Sequence, residues 1–146
     1  MLKGKNNKQI TIISAYCTCR QGPSAGATTA HAQQIYLMEQ ERLKADLPST
    51  RTPNPHEDFI KDLETFIKML QAHGDGIILC IDANETPESS MNRDSSFKKY
   101  SSEALMEDTV LIKVFQQQHG SRPSSKTTTP NRFIDWIATW NIPVTR

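Results

Sequence analysis

Apolar residues along this chain follow two different periods. Gln9-Ile10-Thr11-Ile12-Ile13-Ser14-Ala15-Tyr16 is rich in β-branched residues and gives way to a polar loop with Gly22-Pro23 and Gly26. That pattern predicts a core strand ending near Tyr16. Thr28-Thr29 then offers an N-cap, and Ala30 to about Leu47 lacks Gly and Pro, so a helix is expected there. Its apolar stripe, Ile35, Tyr36, Met38 and Leu43, is ragged, and Pro48 to Pro53 ends it. Asn54-Pro55-His56-Glu57 supplies a cap, a first-turn proline and an acid three residues after the cap, a strong helix start. In the helix it opens, Phe59, Ile60, Leu63, Phe66, Ile67 and Leu70 recur at helical spacing, and Gly74 stands just beyond its end.

Gly76-Ile77-Ile78-Leu79-Cys80-Ile81 is an apolar run of strand length that closes on Asp82-Ala83-Asn84-Glu85. Strand, helical connection and strand make a crossover unit whose two strands run parallel if they share a sheet. Their carboxyl ends, Tyr16 and Asp82, then open to one side, where ligands bind in open α/β sheets. Thr86 to Ser102 reads as a polar surface loop, and Glu103 to Met106 as a helical turn. Thr109 to Phe115 is an apolar cluster compatible with either element type. Gln116 to Lys126 is a further loop, with a polar-basic patch at Ser121 to Lys126. Thr127-Thr128-Thr129 and Arg132 to Ala138 look like two strands about a Pro130-Asn131 turn.

Composition narrows the picture. The 146 residues suit one domain, yet 36% apolar content and a mean hydropathy of -0.56 are low for a globular chain. Either the surface is very polar or part of the core lies elsewhere. A net charge of +1 gives no global footprint for nucleic acid. Cys17, Cys19 and Cys80 form neither a disulfide framework nor a zinc spacing, so they read as reduced, which suits an intracellular compartment, nucleus or cytosol. Lys3, Lys5 and Lys8 precede an apolar stretch too short and too polar for a secretory signal, and no run reaches membrane-spanning length. No membrane partner is expected.

Candidate chemistry gathers at the strand ends. Asp82 and Asn84, two apart in an extended segment, project to one side and can converge on a phosphate or a hydrated metal ion. The other reading of Asp82-Ala83-Asn84 is a turn, since Asp and Asn bond their own backbone after strands. Tyr16 reads equally as an aromatic core residue with its hydroxyl at the edge. Asp135 alternates with Phe133 and Ile137 in a strand greasy on both faces, so its carboxylate should be buried and therefore paired, by a structural ion pair or a functional one.

Together, Tyr16 in Ile-Ile-Ser-Ala-Tyr, Asp82 and Asn84 in Ile-Asp-Ala-Asn-Glu, and Asp135 in Phe-Ile-Asp-Trp-Ile resemble the endonuclease/exonuclease/phosphatase superfamily, the deoxyribonuclease I-like enzymes. The usual Gly-Asp-Phe-Asn signature is altered at Ile81 and Ala83, and the look is closest to retrotransposon-type endonuclease domains. The resemblance implies an α/β fold that is part of a four-layer α/β sandwich, mixed sheets with flanking helices, and a Mg²⁺-dependent phosphodiesterase acting on nucleic acid, DNA above RNA. By position, Asp82 would orient or deprotonate the attacking water, and Asn84 would bind a phosphate oxygen or metal-bound water. Tyr16 would donate to the phosphate, and Asp135 would orient an imidazole.

Measured against that family, residues 1–146 are expected to form a single partial domain, its C-terminal half. An upstream Asn, the metal-binding Glu and a closing Ser-Asp-His are not found, so the chain alone is expected to be inactive and to bind Mg²⁺ poorly. Of His31, His56, His73 and His119, read as exposed and neutral, only His119 could stand in for the imidazole. Half of a sandwich would also leave sheet surface and edges exposed to self-association. A non-catalytic relic or binding module of the same fold is the alternative. An unrelated phosphate-binding domain would need a Gly-rich loop after the first strand, and Gly22 and Gly26 are too sparse.

Overall fold

A computed structural model describes residues 2–3, 9–18, 26, 28–46, 53–84, 100–114 and 135–143. In chain order the elements are β1 (Leu2–Lys3), β2 (Gln9–Tyr16), α1 (Ala30–Lys44), α2 (Pro55–Ala72), β3 (Gly76–Asp82), α3 (Ser102–Asp108), β4 (Ile112–Lys113) and β5 (Asp135–Trp140). The strands form one mixed sheet in the order β1-β2-β3-β5-β4. β2 and β3 are parallel, as the crossover requires, while β1 and β5 run antiparallel to their neighbours. This is an α/β fold.

The helix start at Asn54 works through its side chain. Asn54 Oδ1 accepts from the Glu57 N–H, and Asn54 Nδ2 donates to Glu57 Oε2, both at 3.4 Å. The first satisfies a backbone donor that a helix N-terminus otherwise leaves open, and the second holds the capping side chain in place. The buried Glu57 carboxylate is balanced by Lys61 Nζ at 2.7 Å, which lies 4.6 Å from the centre of the Tyr100 ring. The hydrogen bond to Glu57 raises the Lys61 pKa above its ordinary value, against a smaller opposing effect of desolvation. At the other end, Gly74 adopts φ +78°, the left-handed conformation that ends many helices.

One face of α2 packs on one face of the sheet. Ile60, Leu63, Ile67 and Leu70 of α2 meet Ile77, Leu79 and Ile81 of β3, Ala138 of β5, and Leu105 and Met106 of α3. Phe66 stays at the margin of this stripe, partly exposed. Gln71 Nε2 donates to the Thr109 carbonyl at 2.6 Å and ties α2 to the end of α3. Within the cluster at Thr109 to Phe115, residues 109–113 resolve into a turn, with Val110 at φ +54°, followed by the two-residue β4, and Phe115 lies outside the described residues. The helix before it is α3, one residue longer at its start and two at its end than the expected turn.

Where the sequence pattern was weak, so is the packing. α1 starts on its Thr29 cap, whose hydroxyl accepts from the Ala32 N–H at 3.2 Å, but ends at Lys44 and buries no side chain. Residues 86–99 of the expected loop Thr86 to Ser102, the loop Gln116 to Lys126, the expected strand Thr127 to Thr129, His119 and Cys19 lie outside the described residues, as do the first three residues of the strand at Arg132, whereas Ser101 caps α3 and Ser102 begins it. That strand is seen as β5 from Asp135 and runs on to Trp140.

The second face of the sheet is more open than the first. Strands apolar on both faces should be buried on both, yet Ile12, Ile112 and Ile137 stay about half exposed on the face away from α2. Helices and one sheet are two layers. The four-layer sandwich is not seen among the described residues.

Candidate functional site

Sheet register brings three of the four sequence-derived residues into one row. Tyr16 is the register partner of Asp82 on the parallel side, and Asp82 is the partner of Asp135 on the antiparallel side. Directly opposed residues in a sheet project to the same face. Here that is the face turned away from α2, because the alternate residues Ala15, Ile81 and Trp136 belong to the core side. Tyr16 is 60% exposed, a presented aromatic and not a core one. Asp82 is half-buried. Asp135 is placed in the row by its backbone pairing.

Asn84 is drawn to the row from beyond the strand. Its backbone N–H donates to Asp82 Oδ1 at 3.1 Å, and its side-chain Nδ2 donates to the Cys17 carbonyl at 2.6 Å. Cys17 in turn donates its N–H to the Asp82 carbonyl at 2.8 Å. Asn84 holds φ +49°, a conformation that Asn tolerates better than other residues with a side chain. The turn and the convergence of Asp82 with Asn84 are therefore one object. The Asx bond makes the turn, and the turn carries the carboxamide across to the end of β2.

A graded response is expected at residue 84. Asn84→Gly removes the side-chain bond but suits the backbone, so it should cost about 1 kcal/mol. Asn84→Ala adds the left-handed backbone penalty and should cost about 2 to 3 kcal/mol. Urea unfolding of the two variants checks the order; equal losses would remove the backbone contribution.

Behind this turn lies a contact that the sequence reading missed. Cys17 Sγ is 3.0 Å from His56 Nδ1, with Cys17 1% and His56 2% exposed. The expectation of an exposed histidine is corrected: His56 is buried in the first turn of α2 against the end of β2. A signal existed. Residues 56, 60, 63, 67 and 70 fall on one helical stripe, so the phase of the Ile60, Leu63, Ile67 and Leu70 face runs back to His56. Neither Cys17 nor the half-buried Cys80 takes part in a disulfide.

A cleft of about 580 Å³ opens beside the row on the helix side, lined in part by Tyr16, Thr18, Gln34 and Phe59. Thr18 Oγ1 donates to Gln34 Oε1 at 3.1 Å and joins α1 to the end of β2. Glu41, Asp58 and Asp62 also line the cleft, with Lys61 as the basic residue among them. That charge disfavours a phosphate within the cleft itself, and the cleft shares Tyr16 but neither Asp82 nor Asn84 with the row.

As metal ligands the row offers hard oxygens, the right chemical type for Mg²⁺. Among the described residues no group of three His, Cys, Asp or Glu side chains is placed to hold a metal ion. Comparisons with protein-family models, curated proteins and solved structures return no match to this chain.

Proposed function

We propose that this chain carries the strand-end part of a Mg²⁺-dependent phosphodiesterase site of the endonuclease/exonuclease/phosphatase kind, with nucleic acid, DNA above RNA, as substrate and retroelement-type endonucleases as the nearest class. The observation that supports it is the row of Tyr16, Asp82 and Asp135 at the mouth of adjacent strands, with Asn84 folded back onto it. A phenol and a second carboxylate each one strand spacing from Asp82, with a carboxamide folded back beside it, suit in-line hydrolysis of a phosphodiester. In this reading Asp82 orients or deprotonates the attacking water, an exposed Tyr16 donates to a phosphate oxygen, and Asn84 contacts the phosphate with the remainder of its carboxamide. Asp135 orients an imidazole. The metal-binding glutamate and that imidazole are not among these residues, so the chain alone is proposed to lack turnover.

A second reading rests on a specific observation. The Asn84 amide is engaged by Cys17, and the Asp82 carboxylate by the Asn84 N–H, which are the bonds a purely structural turn would make. Under it the chain is a non-catalytic relic or binding module. One assay separates the two. The transcript is sequenced on both sides of this coding stretch, and any longer product is incubated with supercoiled plasmid in Mg²⁺ and in excess chelator. Nicking that needs Mg²⁺ is expected. Intact plasmid from a folded longer product, or nicking that survives chelation, would overturn the phosphodiesterase reading.

A further inference from the structure

The face that carries the row also carries most of the exposed apolar surface of the sheet, arranged in register. Leu2, Ile10 and Gly76 form its first row, Ile12, Ile78, Thr139 and Ile112 the second, and Ser14, Cys80 and Ile137 the third. Ile12 is 53% and Ile137 55% exposed, and Thr139, between Ile78 and Ile112, is buried. Among the described residues, charge appears on this face only in the fourth row, at Asp82 and Asp135. A flat uncharged surface with a charged end selects an apolar, flat partner that avoids that end.

We propose that the occupant is a second copy of this chain, stacked face to face about a two-fold axis that crosses the strands. An isologous contact needs one self-complementary patch, and a flat apolar sheet face is self-complementary without further adjustment. Two such sheets pack about 10 Å apart with strands nearly aligned. With the axis across the strands, the copies run antiparallel, so the apolar rows stack on one another and each carboxylate row sits at the rim of the contact, beside the Leu2, Ile10 and Gly76 end of the other copy and open to water. An axis along the strands would set Asp82 against its own copy, a like-charge contact at low dielectric.

Area sets the expected strength. β2, β3 and β5 at about 4.8 Å spacing and roughly 20 Å length, widened by β1 and β4, offer about 500 Å² of accessible surface per copy once side-chain relief is counted. The roughly 1,000 Å² buried in the pair reaches the lower bound for a specific interface, which makes a dimer that dissociates on dilution. Edge pairing is the weaker route, since β1 and β4 are two residues long and present few open backbone groups. The proposal does not depend on the phosphodiesterase reading, because the face is apolar whatever the row does.

The test is sedimentation velocity across about a hundredfold concentration range, from the low micromolar upward. The expected result is a monomer–dimer equilibrium in the unaltered chain and monomer throughout in an Ile12→Lys, Ile137→Lys variant. Both positions are half exposed, so the far-ultraviolet circular dichroism of that variant should be unchanged. Independently, a short bismaleimide should join two copies through Cys80 in a Cys19→Ser background and fail with Cys80→Ser. Monomer at all concentrations, a dimer indifferent to both lysines, or absence of the Cys80 cross-link would each overturn the proposal. So would binding of the monomer to neutral lipid vesicles through this face.

Discussion

Replacing Leu79 with alanine is expected to lower the stability of the fold by about 3 to 5 kcal/mol, the upper part of the range for large-to-small changes in a core. Leu79 is fully buried, at 0% exposed, in the middle of β3. Its register partners are Ile13 on β2 and Ala138 on β5, and α2 covers it with Ile60, Leu63 and Ile67 in the same cluster. The site has little freedom to collapse. The backbone on both sides is held by strand pairing, Ala138 is too small to fill a void, and the helix is fixed at its Asn54 cap. The removed methyl groups therefore leave most of their volume as cavity, and the cavity contribution adds to the transfer contribution. Urea unfolding should show a lower midpoint at an unchanged slope. Leu43→Ala, at a 70% exposed position on α1, should change stability by no more than about 0.5 kcal/mol. A Leu79 loss of similar size would mean that the sheet and α2 do not share one core.

How much of this was legible follows from where local chemistry and long-range packing agree. The cap at Asn54, the stripe of Ile60, Leu63, Ile67 and Leu70, and the runs ending in Tyr16 and Asp82 each state their element type, and β2, α2 and β3 stand at the expected positions. α1 had formers but no coherent stripe, and it buries nothing. The apolar cluster at Thr109 to Phe115 could not be typed because its length suits either element, and a left-handed Val110 divides it into a turn and two strand residues. That Tyr16 and Asp82 open to one side was legible from the crossover, but that Asp135 joins them in one row was not, since parity within a strand does not fix the register between strands. The contact of Cys17 with His56 was not read because it depends on carrying the helix phase back into the capping turn. The partner of the open sheet face is a property of a second body. Strands greasy on both sides report that a cover is needed but carry no label for it.

Asp82 is where the two readings of the site diverge most, and Asp82→Ala is expected to lower Mg²⁺-dependent nicking by the longer product by at least about 10²-fold to 10³-fold, the usual loss for a general base. This prediction rests on the proposed function. Alanine alone would be ambiguous, because it also deletes the acceptor of the Asn84 N–H and with it the turn that brings the carboxamide to Cys17. Asp82→Asn resolves this. Its side-chain oxygen can still accept from the Asn84 N–H at the same position, so the turn and the urea midpoint should be kept, to within about 0.5 kcal/mol. It cannot take a proton from water, so nicking should fall as far as with alanine. If instead Asp82→Asn cleaves at the unaltered rate while Asp82→Ala does not, the carboxylate matters as a turn acceptor and the general-base role is wrong. Loss of nicking at unchanged stability would place the charge, and not the shape, of Asp82 in the chemistry, and the same comparison run on plasmid binding would show whether substrate capture survives without it.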